Sequence, residues 1–244
     1  MTTSELLLQR LPVNAPRTET TPHAPARHRV GRALHRVPDP VDRRRGPYER
    51  YGKRLFDVVG AIGILCAVSP LLIASWVCLR LTLGPSVILT QERVGKDGHL
   101  FRMYKFRTMR WCRRHDGVAF EGPDRRVTHK SDGDPRHTTV GKAFRKASID
   151  ELPQLFNVVR GDMSLVGPRP ELATVVDRFG GRDHGRHTVR PGLTGEWQIT
   201  TRQSGALLHE CFDDDLPYLE RITLRNDLRI LRATIPVVTN RGGH

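Results

Sequence analysis

Residues 58–79 read VVGAIGILCAVSPLLIASWVCL, 22 residues without a charge. A straight helix of that length runs about 33 Å, enough to cross the apolar core of a bilayer. Two features oppose a simple crossing. Ser69-Pro70 sits in the middle, where the proline ring removes a backbone donor and clashes with the preceding turn. Basic residues also flank both ends, Lys53 and Arg54 before and Arg80, Arg93 and Lys96 after. Such charges favour the cytoplasmic side, so both ends are drawn to one face. A helix that enters, breaks at Ser69-Pro70 and returns to that face satisfies both constraints. The alternatives are a proline-kinked spanning helix and the buried helix of a soluble core.

Ahead of this run, residues 1–47 read as a disordered basic tail. Pro12, Pro16, Pro22, Pro25, Pro38, Pro40 and Pro47 interrupt it, and no apolar period survives between them. Lys and Arg outnumber Asp and Glu by 12 to 5 up to Arg54, so half of the net charge of +14 sits here. No apolar stretch follows the first residues, which argues against a targeting peptide. The tail is either simply solvated or drawn to anionic lipid.

The overall charge confines partners to polyanions: nucleic acid, an anionic membrane surface or phosphorylated substrates. The basic residues are not interleaved with stacking aromatics and form no nucleic-acid-binding motif. A nucleic-acid-binding protein is therefore the weaker reading. Cys66, Cys78, Cys112 and Cys211 make no C-x-x-C pair, so neither a zinc site nor a disulfide framework is expected.

Beyond Gly84-Pro85 the chain divides into short elements. Residues 86–90 suit a strand or a continuation of interfacial helix, and 99–109 (HLFRMYKFRTM) a strand or an interface-lying element. Residues 111–137 are polar and Arg-rich and read as a loop. Leu155 to Val159 is a helical apolar stretch ending before Gly161. Residues 206–235 carry Leu216, Leu219, Ile222, Leu224, Leu228 and Leu231 among arginines, the pattern of amphipathic helices.

Chemistry concentrates around Arg145-Lys146-Ala147-Ser148-Ile149-Asp150-Glu151-Leu152-Pro153-Gln154. Ser148 with Glu151 three residues on has the spacing of a capping box, and taken alone this is the ordinary reading. The surrounding charge supports another. A carboxylate that attacks a diphosphate must overcome anion–anion repulsion, which takes guanidinium groups, a metal ion, or both. Arg145 and Lys146 are close, Arg136 lies in the preceding turn, and Glu151 offers a hard oxygen ligand to Mg²⁺. Pro168-Arg169-Pro170 holds a guanidinium on rigid backbone, and Arg190-Pro191-Gly192 is a second rigid basic turn. Read singly, each is a turn with a solvated arginine. Together, beside one carboxylate pair, they point to a polyphosphate.

KFRTM (105–109), DPRHTTVGKAFRKASIDELPQLFNVVRGDMSLVGPRPE (134–171) and RPGLTGEWQ (190–198) closely resemble the bacterial sugar transferase family, the monotopic polyprenyl-phosphate phosphoglycosyl transferases. The likeness covers about residues 50–238 and includes Asp57, Ser69-Pro70 and Gln91-Glu92-Arg93-Val94-Gly95. The resemblance implies an α+β fold: a re-entrant membrane helix over 48–84, then a small, mostly helical cytosolic catalytic domain over 85–238. That domain would carry interface-lying amphipathic helices and a short sheet, with a tail at 239–244. It also implies transfer of a sugar-1-phosphate from a UDP-sugar to polyprenyl (undecaprenyl) phosphate, with Mg²⁺ and release of UMP, at the cytoplasmic face of the bacterial plasma membrane. Asp150 would be the nucleophile of a covalent phosphosugar intermediate and Glu151 the metal ligand. Pro168, Arg169 and Pro170 would lie in the nucleotide site. Arg145, Arg190 and Arg202 would face phosphates, and Lys105 and Arg107 would join the substrate site. Thr201-Arg202 departs from the family's glycine-arginine pair, and residues 206–210 lack its tryptophan, which bears on the choice of sugar. The chain resembles the family's minimal form, without the spanning helices that larger members carry ahead of this domain. A catalytically silent membrane scaffold of the same fold is the remaining alternative.

Overall fold

The computed structural model describes residues 45–110, 136–179, 181–200, 208 and 211–239. The basic tail up to residue 44, nearly all of the 111–137 loop, Arg202, most of 206–210 and the last five residues lie outside the described residues.

Helix α1 runs from Lys53 to Leu83, continuing a π-helical turn at Tyr48–Gly52. It passes through Pro70 without interruption, so the break expected at Ser69-Pro70 is absent as a gap in the helix. The physical reason is local. A proline at 70 deprives the Cys66 carbonyl of its partner four residues on, and the Ser69 hydroxyl donates to that same carbonyl at 2.9 Å. The neighbouring serine thus re-satisfies the group that the proline orphans, as apolar surroundings require.

One stripe of α1, spaced by threes and fours, faces the rest of the unit. Asp57, Ala61, Ser75 and Leu79 are buried, while Leu65, Val68 and Leu72 pack against core clusters. The outer surface leaves Val59, Ile62, Ile73, Trp76 and Leu81 exposed. Keeping apolar area in water forfeits about 25 cal/mol per Å², so a continuous apolar face of this kind marks a membrane or partner contact. Among the described residues this is the one helix long and apolar enough to cross a membrane, and little of it is buried. The soluble-core reading needs the opposite.

The uncertain segment after Gly84-Pro85 is an antiparallel hairpin, β1 (Ile88–Val94) and β2 (Leu100–Phe106), with Ile88 opposite Phe106 and Val94 opposite Leu100. Helix α2 (Thr139–Lys146), a 3₁₀ turn (Ile149–Glu151) and α3 (Gln154–Arg160) follow. Two short parallel strands, β3 (Ser164–Val166) and β4 (Gly192–Thr194), form the second sheet. Helices α4 (Ala173–Arg178), α5 (Glu196–Ile199), α6 (Leu216–Glu220) and α7 (Leu224–Thr239) complete the α+β unit.

Two clusters anchor α1. Ala61, Leu65 and Val68 join Met103, Leu155, Val158, Leu165, Tyr218 and Ile230. Leu72, Leu79 and Leu83 join Val87, Phe106, Val140 and Phe144. Both halves of the helix therefore rest on the same folded body of described residues. A buried polar knot fastens its start. The Lys53 ammonium lies 3.1 Å from Asp57 and 2.8 Å from Asp227 of α7. The hydroxyls of Tyr48 and Tyr218 donate to the two oxygens of Asp227 at 2.7 and 2.9 Å, while Asp57 accepts from the Ser164 hydroxyl and the Leu165 amide of β3.

Candidate active site

The dyad is positioned by a strained residue. Helix α2 ends at Lys146 with Ala147 as its C-cap, and Ser148 adopts φ +56°, a left-handed conformation that a non-glycine residue holds at a penalty of about 1 kcal/mol. The next three residues form the 3₁₀ turn that carries Asp150 and Glu151. The expected capping box does not form, since Ser148 makes no side-chain cap to this turn. The Glu151 side chain instead accepts from Arg169, at 2.7 Å to Oε1 and 3.5 Å to Oε2, and from the Lys105 ammonium at 3.4 Å. The bland reading of the acidic pair therefore fails on geometry: Glu151 faces cations from two other elements.

Asn157 fixes the distance between those elements. Its buried amide group accepts from the Tyr104 N–H at 2.9 Å and donates to the Arg102 carbonyl at 2.7 Å. This ties α3 to β2 and holds Lys105 against Glu151. The C-terminus of α3 is secured by the Arg54 guanidinium, which donates to the carbonyls of Val158 and Val159 at 2.6 and 2.8 Å.

Charge and burial set the state of the pair. Burial, reinforced by Glu151, pushes the Asp150 carboxyl up to about 6, while Lys105, Arg169 and Arg145 pull the other way. Burial lowers the Lys105 ammonium, with Glu151 opposing. Burial also lowers Arg169, but Glu151 overcomes it and holds that guanidinium above its ordinary value. Burial lowers Arg145, offset by Asp150. At neutral pH Asp150 is thus an ionised, partly desolvated carboxylate beside three cations, which is what attack on an anionic phosphorus demands.

The Pro168-Arg169-Pro170 turn is held on three sides. Its Pro168 carbonyl accepts from the Gly192 amide at 2.8 Å, and the Gly167 amide donates to Thr194 at 2.9 Å. A Cβ on Gly192 would sit 2.1 Å from the Gly167 nitrogen, so the two basic turns touch backbone to backbone and only glycine fits there. Beneath it, the buried Arg186 donates to the Arg169 carbonyl at 2.6 Å, pairs with the buried Asp215 at 2.8 Å and stacks on Phe212. Beyond it, Glu171 pairs with Arg93 of β1 at 2.9 Å, both nearly inaccessible to solvent.

The predicted residues therefore divide. Asp150, Glu151, Lys105, Arg145 and Arg169 converge, while Pro168 and Pro170 are buried and shape the turn. The exposed Arg190 donates through Nε to the Gly161 carbonyl at the end of α3, at 2.9 Å. Arg107 caps α1, donating to the carbonyls of Leu83 and Pro85, each at 2.7 Å. Arg107→Met is accordingly expected to lower stability by about 1–3 kcal/mol, since it orphans helix-end carbonyls. Its KM for a nucleotide sugar should stay within twofold or so of wild type; thermal unfolding and steady-state kinetics on one preparation separate the two effects. Arg93, Glu171, Arg186, Asp215 and Asn157 are the contributors that sequence reading missed. Their role depends on burial and pairing; Arg93, Asn157 and Glu171 fall inside quoted motifs, but Arg186 and Asp215 do not.

A divalent cation fits this site only in part through protein ligands. Among the described residues no group of three or more His, Cys, Asp or Glu is placed to hold a metal ion, and Glu151 with Asp150 offers two carboxylates. Mg²⁺ is commonly held by one or two carboxylates plus substrate phosphates and water, so the donor set suits a metal shared with a diphosphate.

A model of the bacterial sugar transferase family matches residues 48–241. The chain is 40% identical over 200 residues to the undecaprenyl-phosphate galactose phosphotransferase of Salmonella typhimurium, spanning 80% of this chain and 42% of that protein. It is 37% identical over 201 residues to the exopolysaccharide production protein ExoY of Sinorhizobium fredii, spanning 79% of this chain and 87% of that one. It is also 39% identical over 191 residues to the UDP-glucose:undecaprenyl-phosphate glucose-1-phosphate transferase of Caulobacter vibrioides, spanning 75% and 68%. The chain thus covers about two fifths of some curated relatives and most of others.

Proposed function

The chain belongs to the bacterial sugar transferase family, and from that premise we propose that it moves a sugar-1-phosphate from a UDP-sugar to polyprenyl (undecaprenyl) phosphate, releasing UMP. This would begin exopolysaccharide or glycoconjugate assembly. The observation that carries the reading is Glu151 and Asp150 turned inward among Lys105, Arg169 and Arg145 rather than outward as a helix cap.

In the first step an Asp150 oxygen attacks the sugar-bearing phosphorus. A bond forms from carboxylate to phosphorus as the bond to the bridging oxygen breaks, and UMP leaves with that electron pair. In the second, an oxygen of the lipid phosphate attacks the same phosphorus, the carboxylate departs, and polyprenyl-diphosphate-sugar results. Splitting the transfer this way replaces one hard displacement by two easier ones. Lys105 and Arg169 would offset the negative charge that gathers there, and the rigid Pro-Arg-Pro backbone anchors Arg169 at its root. A Mg²⁺ ion at Glu151 would shield the diphosphate charge. Incubation with Mg²⁺ and a panel of sugar-labelled UDP-sugars tests the proposal. Label should remain on the protein, and adding polyprenyl phosphate should release it into lipid with one UMP per transfer. No label and no lipid-dependent UMP across the panel would reject it.

For the membrane, the reading is a helix that enters, bends at Pro70 and returns to the cytoplasmic face, with Arg-bearing α7 lying at the interface. It is supported by both halves of α1 resting on one unit and by the apolar outer face of the helix. A crossing helix would need to carry that charged unit with it into the bilayer. Tags at both termini should be reachable only from the cytoplasm; a C-terminal reporter active on the far side would turn the helix into a spanning one.

A further inference from the structure

We propose that Arg169 is an exchangeable counter-ion, holding Glu151 in the free enzyme and passing to the nucleotide diphosphate when a divalent cation takes Glu151. Cation and nucleotide then bind as a pair, neither well alone. The inference rests on the function proposed above and adds its order of binding.

Three observations carry it. First, the Glu151 oxygens are already engaged, Oε1 by Arg169 at 2.7 Å and Lys105 at 3.4 Å, and Oε2 by Arg169 at 3.5 Å. A Mg²⁺ ion needs an oxygen at about 2.1 Å, and it cannot share one with two full positive charges close by. Second, Arg169 has a fixed root and a free head. Pro168 and Pro170 flank it and Arg186 grips its carbonyl at 2.6 Å, yet among the described residues its guanidinium hydrogen-bonds to Glu151 alone. Arg93, also close, is committed to Glu171, Gln91 and the Pro170 carbonyl and cannot substitute. Third, charge favours joint entry. Lys105, Arg145 and Arg169 exceed Asp150 and Glu151 by one positive charge, with Arg93 and Glu171 cancelling. A divalent cation alone raises that to three. With the doubly charged diphosphate of a UDP-sugar beside it, the total is unchanged.

The test uses Mn²⁺ and UDP as probes on the full chain in detergent. Free Mn²⁺ is counted by electron paramagnetic resonance and UDP binding by calorimetry, with Glu151→Gln correcting for the Mn²⁺–UDP complex in solution. UDP should tighten Mn²⁺ binding about tenfold, and Mn²⁺ should tighten UDP by the same factor, as linkage requires. Arg169→Met should strengthen Mn²⁺ binding in the absence of UDP about fivefold while weakening UDP, collapsing the coupling. Lys105→Met should strengthen Mn²⁺ in the same direction, and it serves should Arg169→Met fail to fold. If UDP binds but Mn²⁺ affinity ignores it, or neither variant alters Mn²⁺ affinity, the exchange is overturned while the transferase reading stands. If UDP does not bind at any Mn²⁺ level, both fall.

Discussion

Asp150→Asn is expected to erase protein labelling by UDP-sugars and to cut turnover on the order of a thousandfold or more, the scale seen when a nucleophile is removed. A carboxamide has nearly the same shape, so the charged neighbours keep their places; what disappears is the anionic oxygen able to bond phosphorus. Burial has pushed the wild-type carboxyl up to about 6, so activity should fall as pH drops through that value, because protonation removes the nucleophile. Stability should move the other way. A carboxyl whose folded pKa exceeds its unfolded one holds more protons folded than unfolded between about 4 and 6, so stability declines as pH rises across that window. Above it the charged form imposes its full penalty. Asp150→Asn lifts that penalty and should gain about 1–2 kcal/mol at pH 7.5, discounted for partial exposure, and little at pH 4. Thermal unfolding of both proteins at the two pH values reads this directly. A variant inactive and also less stable at pH 7.5 would mean that Asp150 holds structure, not strain.

How far the sequence discloses this site depends on what each residue needs to be seen. Asp150, Glu151 and Arg169 are legible because their chemistry and spacing survive in one dimension. The apolar run of α1 is likewise plain, yet its continuity through Pro70 depends on a hydroxyl one residue away bonding Cys66, a detail of geometry. Arg107 and Arg190 carry the right charge in the right motifs, and in this structure they donate to the carbonyls at the ends of α1 and α3. Local sequence cannot separate an arginine aimed at phosphate from one aimed at a helix end, since both reward five donors. Arg186 and Asp215 are hidden for the opposite reason. A charge pair is expected at the surface, and their near-total burial follows from the fold around the Pro-Arg-Pro turn. The capping-box spacing of Ser148 and Glu151 was a true pattern with a false meaning, because tertiary cations competed successfully for the carboxylate.

Lys53→Met should be the most damaging substitution for stability, at about 3–5 kcal/mol, the range for breaking a buried ion pair from one side. Its ammonium is shared by Asp57 and Asp227, whose side chains are 2% and 0% exposed. Without it, two carboxylates face each other within about 6 Å, a repulsion of about 3 kcal/mol at an effective dielectric of about 20. Asp227→Asn should cost less, about 1–2 kcal/mol. An amide oxygen still accepts from one of the two tyrosine hydroxyls, and Lys53 keeps Asp57. The double variant decides between repulsion and simple loss of contacts. If repulsion dominates, Lys53→Met with Asp227→Asn should be more stable than Lys53→Met alone, because the second change removes one of the opposed charges. Additive losses in thermal or denaturant unfolding would show instead that Lys53 acts through packing. The knot joins the start of α1 to α7 and, through Asp57, to β3 just ahead of the Pro-Arg-Pro turn. Loosening it should therefore also weaken UDP binding, whereas Arg107→Met, which loosens the other end of α1, should not.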